Sequence, residues 1–349
     1  MRKKKTLYTD NDQGEKISII LSYTENEEAR AIADTARTLI EKGTSPREIA
    51  VLYRANFQSR ALEEAFIKKN IPYQLVGVRF FERKEVKDVI SYVRAALNRE
   101  SAGDIARIIN VPVRGIGKVT VAKVLSGRED LLPPAMQMKI KQFWKLLDDI
   151  KKEIEEKSPS EAIKFIIQEA GLERAFHSGD SEDEERLLNI RELVSVAAQY
   201  DNYKNDDVDA DSKTAGIESF LSNAALATDQ DELSENRDAV RLMTVHASKG
   251  LEFEHVFIAG LEQDLFPFKK MDEADIDQAQ EEEERRLFYV AITRAKKKVY
   301  FSYTILRTIY GTQRVSIPSE FIDDIAKELI EDQAPPEKPS GAKALFIDF

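Results

Sequence analysis

Two stretches in the last third of the chain carry residue types that can do chemistry. The first is Val240-Arg-Leu-Met-Thr-Val-His-Ala-Ser-Lys-Gly-Leu-Glu-Phe253, which continues to Phe257-Ile-Ala-Gly-Leu261. A hydrophobic strand here delivers Thr244 and His246 to its carboxyl end, where open α/β sheets bind ligands. Ser248, Lys249 and Gly250 follow as a polar turn, and the glycine permits close backbone approach. Glu252 then offers a fixed carboxylate suited to accepting hydrogen bonds from sugar hydroxyls. A plain strand–turn–strand with a surface lysine would explain any one of these residues, but not the whole string.

The second stretch is Glu281-Glu-Glu-Glu-Arg-Arg-Leu-Phe-Tyr-Val-Ala-Ile-Thr-Arg-Ala295. A salt-bridged helix accounts for its first turns: Glu281–Arg285 and Glu282–Arg286 are i,i+4 pairs, each worth about 0.2–0.5 kcal/mol. That account fails at Arg294, which falls on the same helical face as Leu287 and Val290. An arginine in phase with an apolar stripe, at a helix end, should emerge at a domain boundary. Such placement suits an arginine finger, whose planar donors stabilise charge on a transferring phosphoryl group. Lys296 to Lys298 read as solvated.

The elements that must position these residues alternate at both ends of the chain. Strand patterns over Lys16–Tyr23, Ile49–Tyr53 and Tyr73–Val76 alternate with helical patterns over Glu27–Lys42, Ser59–Asn70 and Lys84–Leu97. This β-α-β-α order predicts a parallel sheet with helices on its faces. From about Asn98 to Arg237 helical patterns dominate, separated by glycine, proline and acidic loops. Buried-strand patterns return at Ala239–His246 and His255–Gly260, followed by a helix around Ala279–Ala295 and a strand over Lys298–Tyr303. The expectation is an α/β domain built from residues 1–97 and 239–331, an all-helical insert over 98–238, and a proline-rich disordered tail over 332–349.

Composition bounds the reading. The 349 residues are 42% hydrophobic, enough for a sizeable core. No run of roughly 18 apolar residues suggests a membrane span, and a cytoplasmic protein is the default. With no cysteine and three histidines, His177, His246 and His255, no metal site is expected. The net charge of −11 argues only weakly against nucleic acid, because affinity depends on local basic surface and oriented N–H groups. Much of that charge sits in Ser181–Glu185, Asn205–Asp211 and Glu281–Glu284.

Together the two chemical stretches resemble motifs V and VI of superfamily 1 DNA helicases of the PcrA/UvrD/Rep type, in order and spacing. Ile49-Ala-Val-Leu-Tyr-Arg-Ala-Asn-Phe-Gln-Ser-Arg60 is similar to that family's motif IV, and Gly77–Asp88 to the segment leading out of the motor domain. The resemblance runs from about Lys5 to Phe321. It implies a RecA-like domain, akin to P-loop NTPases but without the P-loop, and the C-terminal half of an ATP-dependent 3′→5′ helicase. It also implies that Arg54, Asn56, Thr244, His246 and Lys249 contact single-stranded DNA. Glu252 would hold the ribose of ATP, Arg294 would reach the γ-phosphate, Arg286 and Tyr289 would support that site, and Arg60 would assist it.

The helical insert contains Val111-Pro-Val-Arg-Gly-Ile-Gly-Lys-Val-Thr-Val-Ala-Lys-Val124. A Gly-apolar-Gly turn opening a helix is the pattern of a helix-hairpin-helix element, whose N–H groups can face a phosphate. Alone it is a weak signal. Within the family it implies duplex contacts by Gly115, Gly117, Lys118 and Thr120.

No Gly-x4-Gly-Lys-Ser/Thr string occurs, Gly115–Thr120 being the nearest with wrong spacing, and no Walker B pair follows a buried strand. The expectation is that ATP and Mg²⁺ serve the complete enzyme, that nothing is bound tightly by this chain alone, and that the isolated chain is inactive. Its partners would be single-stranded and duplex DNA, the complementary N-terminal helicase half, and repair or replication proteins. The competing expectation is a stand-alone DNA-binding or regulatory module acting through its insert. A RecB/AddA-like nuclease-helicase is disfavoured, since no nuclease domain follows Phe321.

Overall fold

A computed structural model describes residues 14–176, 181–202, 214–229, 238–269 and 278–331. The tail 332–349, the acidic stretch 205–211 and His177 lie outside the described residues. The chain divides into two compact units.

The first unit comprises Met1–Gly77, Ser234–Arg307 and Val315–Phe349. Its strands are β1 (Ser18–Ser22), β2 (Ile49–Tyr53), β3 (Tyr73–Leu75), β4 (Val240–Thr244), β5 (Phe253–Ala259) and β6 (Ala295–Thr304). They form one sheet in the order β1-β6-β5-β2-β4-β3, with every neighbouring pair parallel. Helices α1 (Glu25–Glu41) and α2 (Ser59–Lys68) flank the early strands, and α11 (Gln278–Ile292) and α12 (Glu320–Asp323) come late in the chain. Both ends of the chain therefore build one α/β sheet, as the strand patterns predict.

The continuous apolar run of β2, buried at all five positions, is what a doubly covered parallel strand needs. Val51 and Tyr53 project toward Ala29, Ile32 and Phe66 of α1 and α2. Ala50 and Leu52 project the other way, with Leu287, Phe288 and Ala291 of α11 and Phe321 of α12. Period-2 alternation thus divides one strand between two cores. Thr24 starts α1 by accepting from the Glu27 N–H, a preferred N-cap arrangement.

The second unit comprises Val78–Leu233 and Thr308–Arg314. Its helices are α3 (Lys84–Leu97), α4 (Ala102–Ile108), α5 (Lys118–Leu125), α6 (Pro134–Glu156), α7 (Pro159–Glu169), α8 (Leu172–Ala175), α9 (Ser181–Ala198) and α10 (Ala215–Asp229). Val86, Val89, Tyr92, Val93 and Ala96 of α3 are buried in the same cluster as Phe143, Leu147, Ile163 and Leu193. The division therefore falls at Gly77–Val78, ahead of the expected boundary after Leu97, because the apolar stripe of α3 belongs to the helical core.

Strands β7 (Leu306–Ile309) and β8 (Thr312–Val315) form a separate two-stranded sheet that the strand patterns did not predict. Tyr310 and Gly311 turn it with φ of 53° and 70°, the paired positive φ of a type I′ hairpin. Its turn belongs to the helical unit. The Gly311 N–H donates to Ser195 Oγ, and Lys164 Nζ and Arg191 Cζ lie 5.4 and 5.5 Å from the Tyr310 ring.

Candidate functional site

At the carboxyl edge of the sheet, the Val245 N–H donates to Tyr53 O at 2.9 Å, so the exits of β2 and β4 lie side by side. Arg54 and Asn56 leave β2 there, and Thr244 and His246 leave β4. Gln58 shapes the first exit: its carboxamide oxygen accepts from the N–H groups of Arg54 and Ala55, and its Nε2 donates to Ala259 O. Gly260, at φ 71°, makes room for that amide, since a Cβ there would stand 2.4 Å from Gln58 Nε2. Thr244 Oγ1 accepts from the Ala247 N–H. His246 and Lys249 are exposed and Asn56 is half-buried.

Arg54 is held differently from its neighbours. Its Nε lies 2.9 Å from both oxygens of Glu284 and its Nη2 is 2.6 Å from Oε1. The guanidinium also stacks on Phe268, 5.2 Å from the ring centroid. Glu284 Oε2 accepts from the Phe268 N–H as well.

Glu252 and Arg294 sit at the opposite, amino edge. Phe253 pairs with Ala295 in the β5–β6 register, so the residues preceding them, Glu252 and Arg294, stand abreast on adjacent strands. Two bonds lace this edge: Arg294 Nη1 donates to Leu251 O, and the Phe253 N–H donates to Arg294 O. Glu252 is exposed and Arg294 half-buried, so neither lies in a sealed core. The helix α11 ends at Ile292, short of the expected Ala295. Arg294 folds back on its last turn, donating from Nε to Val290 O and from Nη2 to Thr293 Oγ1.

The two i,i+4 pairs expected on α11 form, with Arg285–Glu281 at 3.2 Å and Arg286–Glu282 at 3.1 Å. Arg286 also pairs with Glu283. Tyr289, one turn further, is 49% exposed. Arg60 does not join Glu252 and Arg294. It is 2% exposed on the first turn of α2, with Nη1 3.1 Å from Glu64 Oε1, and α2 starts from the carboxyl edge. Lys298, expected in solvent, is buried and paired with Glu15 and Glu331.

In the helical unit Gly115 (φ 72°) and Gly117 are exposed on either side of the buried Ile116. Gly117 caps α5 with no side-chain bond to the helix N–H groups. Lys118 is exposed and Thr120 half-buried on the first turn. The turn is held by Asn110, whose Oδ1 accepts from the N–H groups of Arg114 and Ile116 at 2.8 and 3.0 Å. Lys139 Nζ donates to Arg114 O. Pattern reading missed both supports; an asparagine just after a helix, ahead of a glycine turn, is the available signal.

Among the described residues no group of three or more His, Asp or Glu is placed to hold a metal ion. Nor is any helix among them long and apolar enough to cross a membrane.

Residues 1–305 match the UvrD-like helicase C-terminal domain. The chain is 35% identical to DNA helicase II of Escherichia coli K12, over 94% of its own length and 47% of that protein. It is likewise 35% identical to the ATP-dependent DNA helicase PcrA of Staphylococcus aureus Mu50, over 95% of the chain and 47% of that protein. DNA helicase II of Haemophilus influenzae is 33% identical over 94% and 46%. The chain thus spans about half the length of these relatives, and it matches their C-terminal half. A parallel sheet assembled from both ends of the chain, the two motif-bearing edges and this match agree: the chain belongs to the UvrD-like helicase C-terminal domain family.

Proposed function

We propose that this chain supplies one jaw of an ATP-driven DNA-unwinding motor that steps 3′→5′ along a single strand. The observation that carries the reading is that Glu252 and Arg294 immediately precede the paired residues Phe253 and Ala295 at one sheet edge, apart from the polar strand exits of β2 and β4 at the other. One edge serves nucleotide and the other serves DNA.

Glu252 accepts hydrogen bonds from the ribose hydroxyls of ATP. Arg294 turns its fork from neutral carbonyls to phosphoryl oxygens, exchanging neutral bonds for charge-assisted ones of about twice the strength. Arg286 and Tyr289, exposed on the same helix, support that site. The Mg²⁺ that accompanies ATP is held by the complementary half. Arg60, buried on α2 beside Glu64, stands apart from Glu252 and Arg294. At the other edge Asn56, Thr244, His246, Lys249 and Arg54 line the single-strand track. The exposed glycine turn before α5 takes a duplex phosphate on its N–H groups.

By itself the chain turns over ATP negligibly and unwinds nothing, since none of its 349 residues forms a phosphate-cradling Gly-x4-Gly-Lys-Ser/Thr loop. The test is to mix it with the N-terminal half of a DNA helicase II and measure hydrolysis stimulated by single-stranded DNA. Restored hydrolysis is expected, with Arg294→Ala lowering kcat by about 10³-fold or more. ATP turnover at normal helicase rates by the chain alone, lost on Arg294→Ala, would refute the assignment.

A second reading, a stand-alone DNA-binding module, draws on the Asn110-braced turn. Salt-dependent binding of the chain to a duplex–single-strand junction, abolished by Gly117→Asp and indifferent to ATP, would favour it.

A further inference from the structure

The least expected pairing in the sheet unit joins Arg54 to Glu284, 230 residues apart in the chain. Three bonds of 2.6–2.9 Å engage Nε and Nη2, which is the bidentate edge a guanidinium also presents to a phosphate. The face of the group is covered by Phe268. The Arg54 side chain keeps 18% of its exposure and that of Glu284 8%. Glu284 is fixed in turn by the Phe268 N–H, so it is a seated residue rather than a wandering surface carboxylate. A phosphate approaching Arg54 meets a neutralised cation and a second anion beside it.

We propose that Glu284 masks Arg54, occupying the guanidinium edge that the phosphodiester backbone of single-stranded DNA would use until a displacement of α11 withdraws the carboxylate. This rests on the reading of the β2 exit as part of the single-strand track. It adds a device to that reading: α11 carries the mask on one turn and leads to Arg294 just past its end. About 12 Å of helix rise separates Glu284 from Ile292. A shift of α11 set off at the nucleotide edge thereby changes how many cations the DNA edge presents.

The test measures binding of a fluorescent oligothymidylate to the full chain across a salt series, for the native protein, E284Q, R54A and the double variant. E284Q keeps the shape and a carbonyl for the Phe268 N–H, and a melting curve checks its fold. One additional phosphate contact steepens the log K against log salt slope by about 0.7. That corresponds to about fivefold tighter binding at 0.1 M salt. E284Q is expected to show both changes, and R54A is expected to remove the gain in the double variant.

Unchanged or weaker binding by E284Q overturns the mask, the latter because it makes Glu284 an orienting partner instead. A gain that survives R54A overturns it too. Absence of salt-dependent binding in all four proteins overturns the single-strand reading along with it. A second readout needs no substitution at Glu284. In the native chain the Arg54 Nε–H resonance is expected to exchange slowly and to stay put when the oligonucleotide binds. A shift on binding would show Arg54 already engaged and defeat the proposal.

Discussion

Replacing Arg307 with methionine tests the most heavily charged part of the core. Arg307 Nε lies 2.7 Å from Glu262 Oε2, and its Nη2 lies 2.6 Å from Glu262 Oε1 and 2.7 Å from Glu28 Oε2. All three side chains are at most 6% exposed. Glu28 also accepts from Ser302 Oγ and the Gly260 N–H, and Glu262 from the Thr304 N–H and Oγ1. Burial pushes the Glu262 carboxyl up, and Arg307, Ser316 and Thr304 more than offset this, holding it below the usual range. Arg307→Met leaves two carboxylates buried and facing each other without a cation. Removing one partner of a buried charge cluster costs about 3–5 kcal/mol, equivalent to about two to three and a half decades in an opening equilibrium. Hydrogen exchange at the Thr304 and Gly260 amides reads this directly, because both donate into the cluster. Trp144 fluorescence serves as a control, since that single tryptophan belongs to the helical unit. Less than a tenfold acceleration at the two amides would refute the argument. The sign with pH follows from the lowered Glu262: its stabilisation is complete above the unfolded carboxyl value of about 4.3 and disappears as pH falls through the lower folded value.

Three further outcomes follow from the same structure. Desolvation lowers the His255 pKa below 6.5, and its Nδ1 is buried without a hydrogen-bond partner. The fold therefore keeps its full stability above pH 6.5 and loses some as pH falls from there to the folded value; His255→Phe should flatten the melting temperature between pH 7.5 and 5.5, and an unchanged slope would show that His255 is not its cause. Gly260→Ala combines a left-handed φ with contacts at 2.4 and 2.9 Å to Gln58 and Leu265, so urea unfolding should report a loss of about 2–4 kcal/mol, and a loss under about 1 kcal/mol would refute both the φ and the contact argument. Asn110→Ala strips an acceptor from two N–H groups of the glycine turn; junction-DNA affinity should fall while single-strand affinity holds, and equal losses in both would mean that the turn is not the duplex contact.

The sequence by itself determined the elements and their chemistry. Ile49–Tyr53 and Lys84–Leu97 take the bounds that their apolar spacing predicts, because periodicity and flanking breakers act over a few residues. The strings Val240–Phe253 and Glu281–Ala295 likewise carry the resemblance to UvrD-like helicases that the family match bears out, since a motif is a local string. Strand order and register decided the rest. They put Glu252 beside Arg294 but send Arg54 and Thr244 to the far edge, and they seal Arg60 in α2. The tertiary fold also brings Glu284 onto Arg54 and Arg307 between two distant carboxylates. It assigns α3 and the Tyr310–Gly311 turn to the helical unit as well. Each of these depends on which surfaces meet across hundreds of residues, and a charge or an apolar stripe read along the chain carries no record of the partner that will cover it.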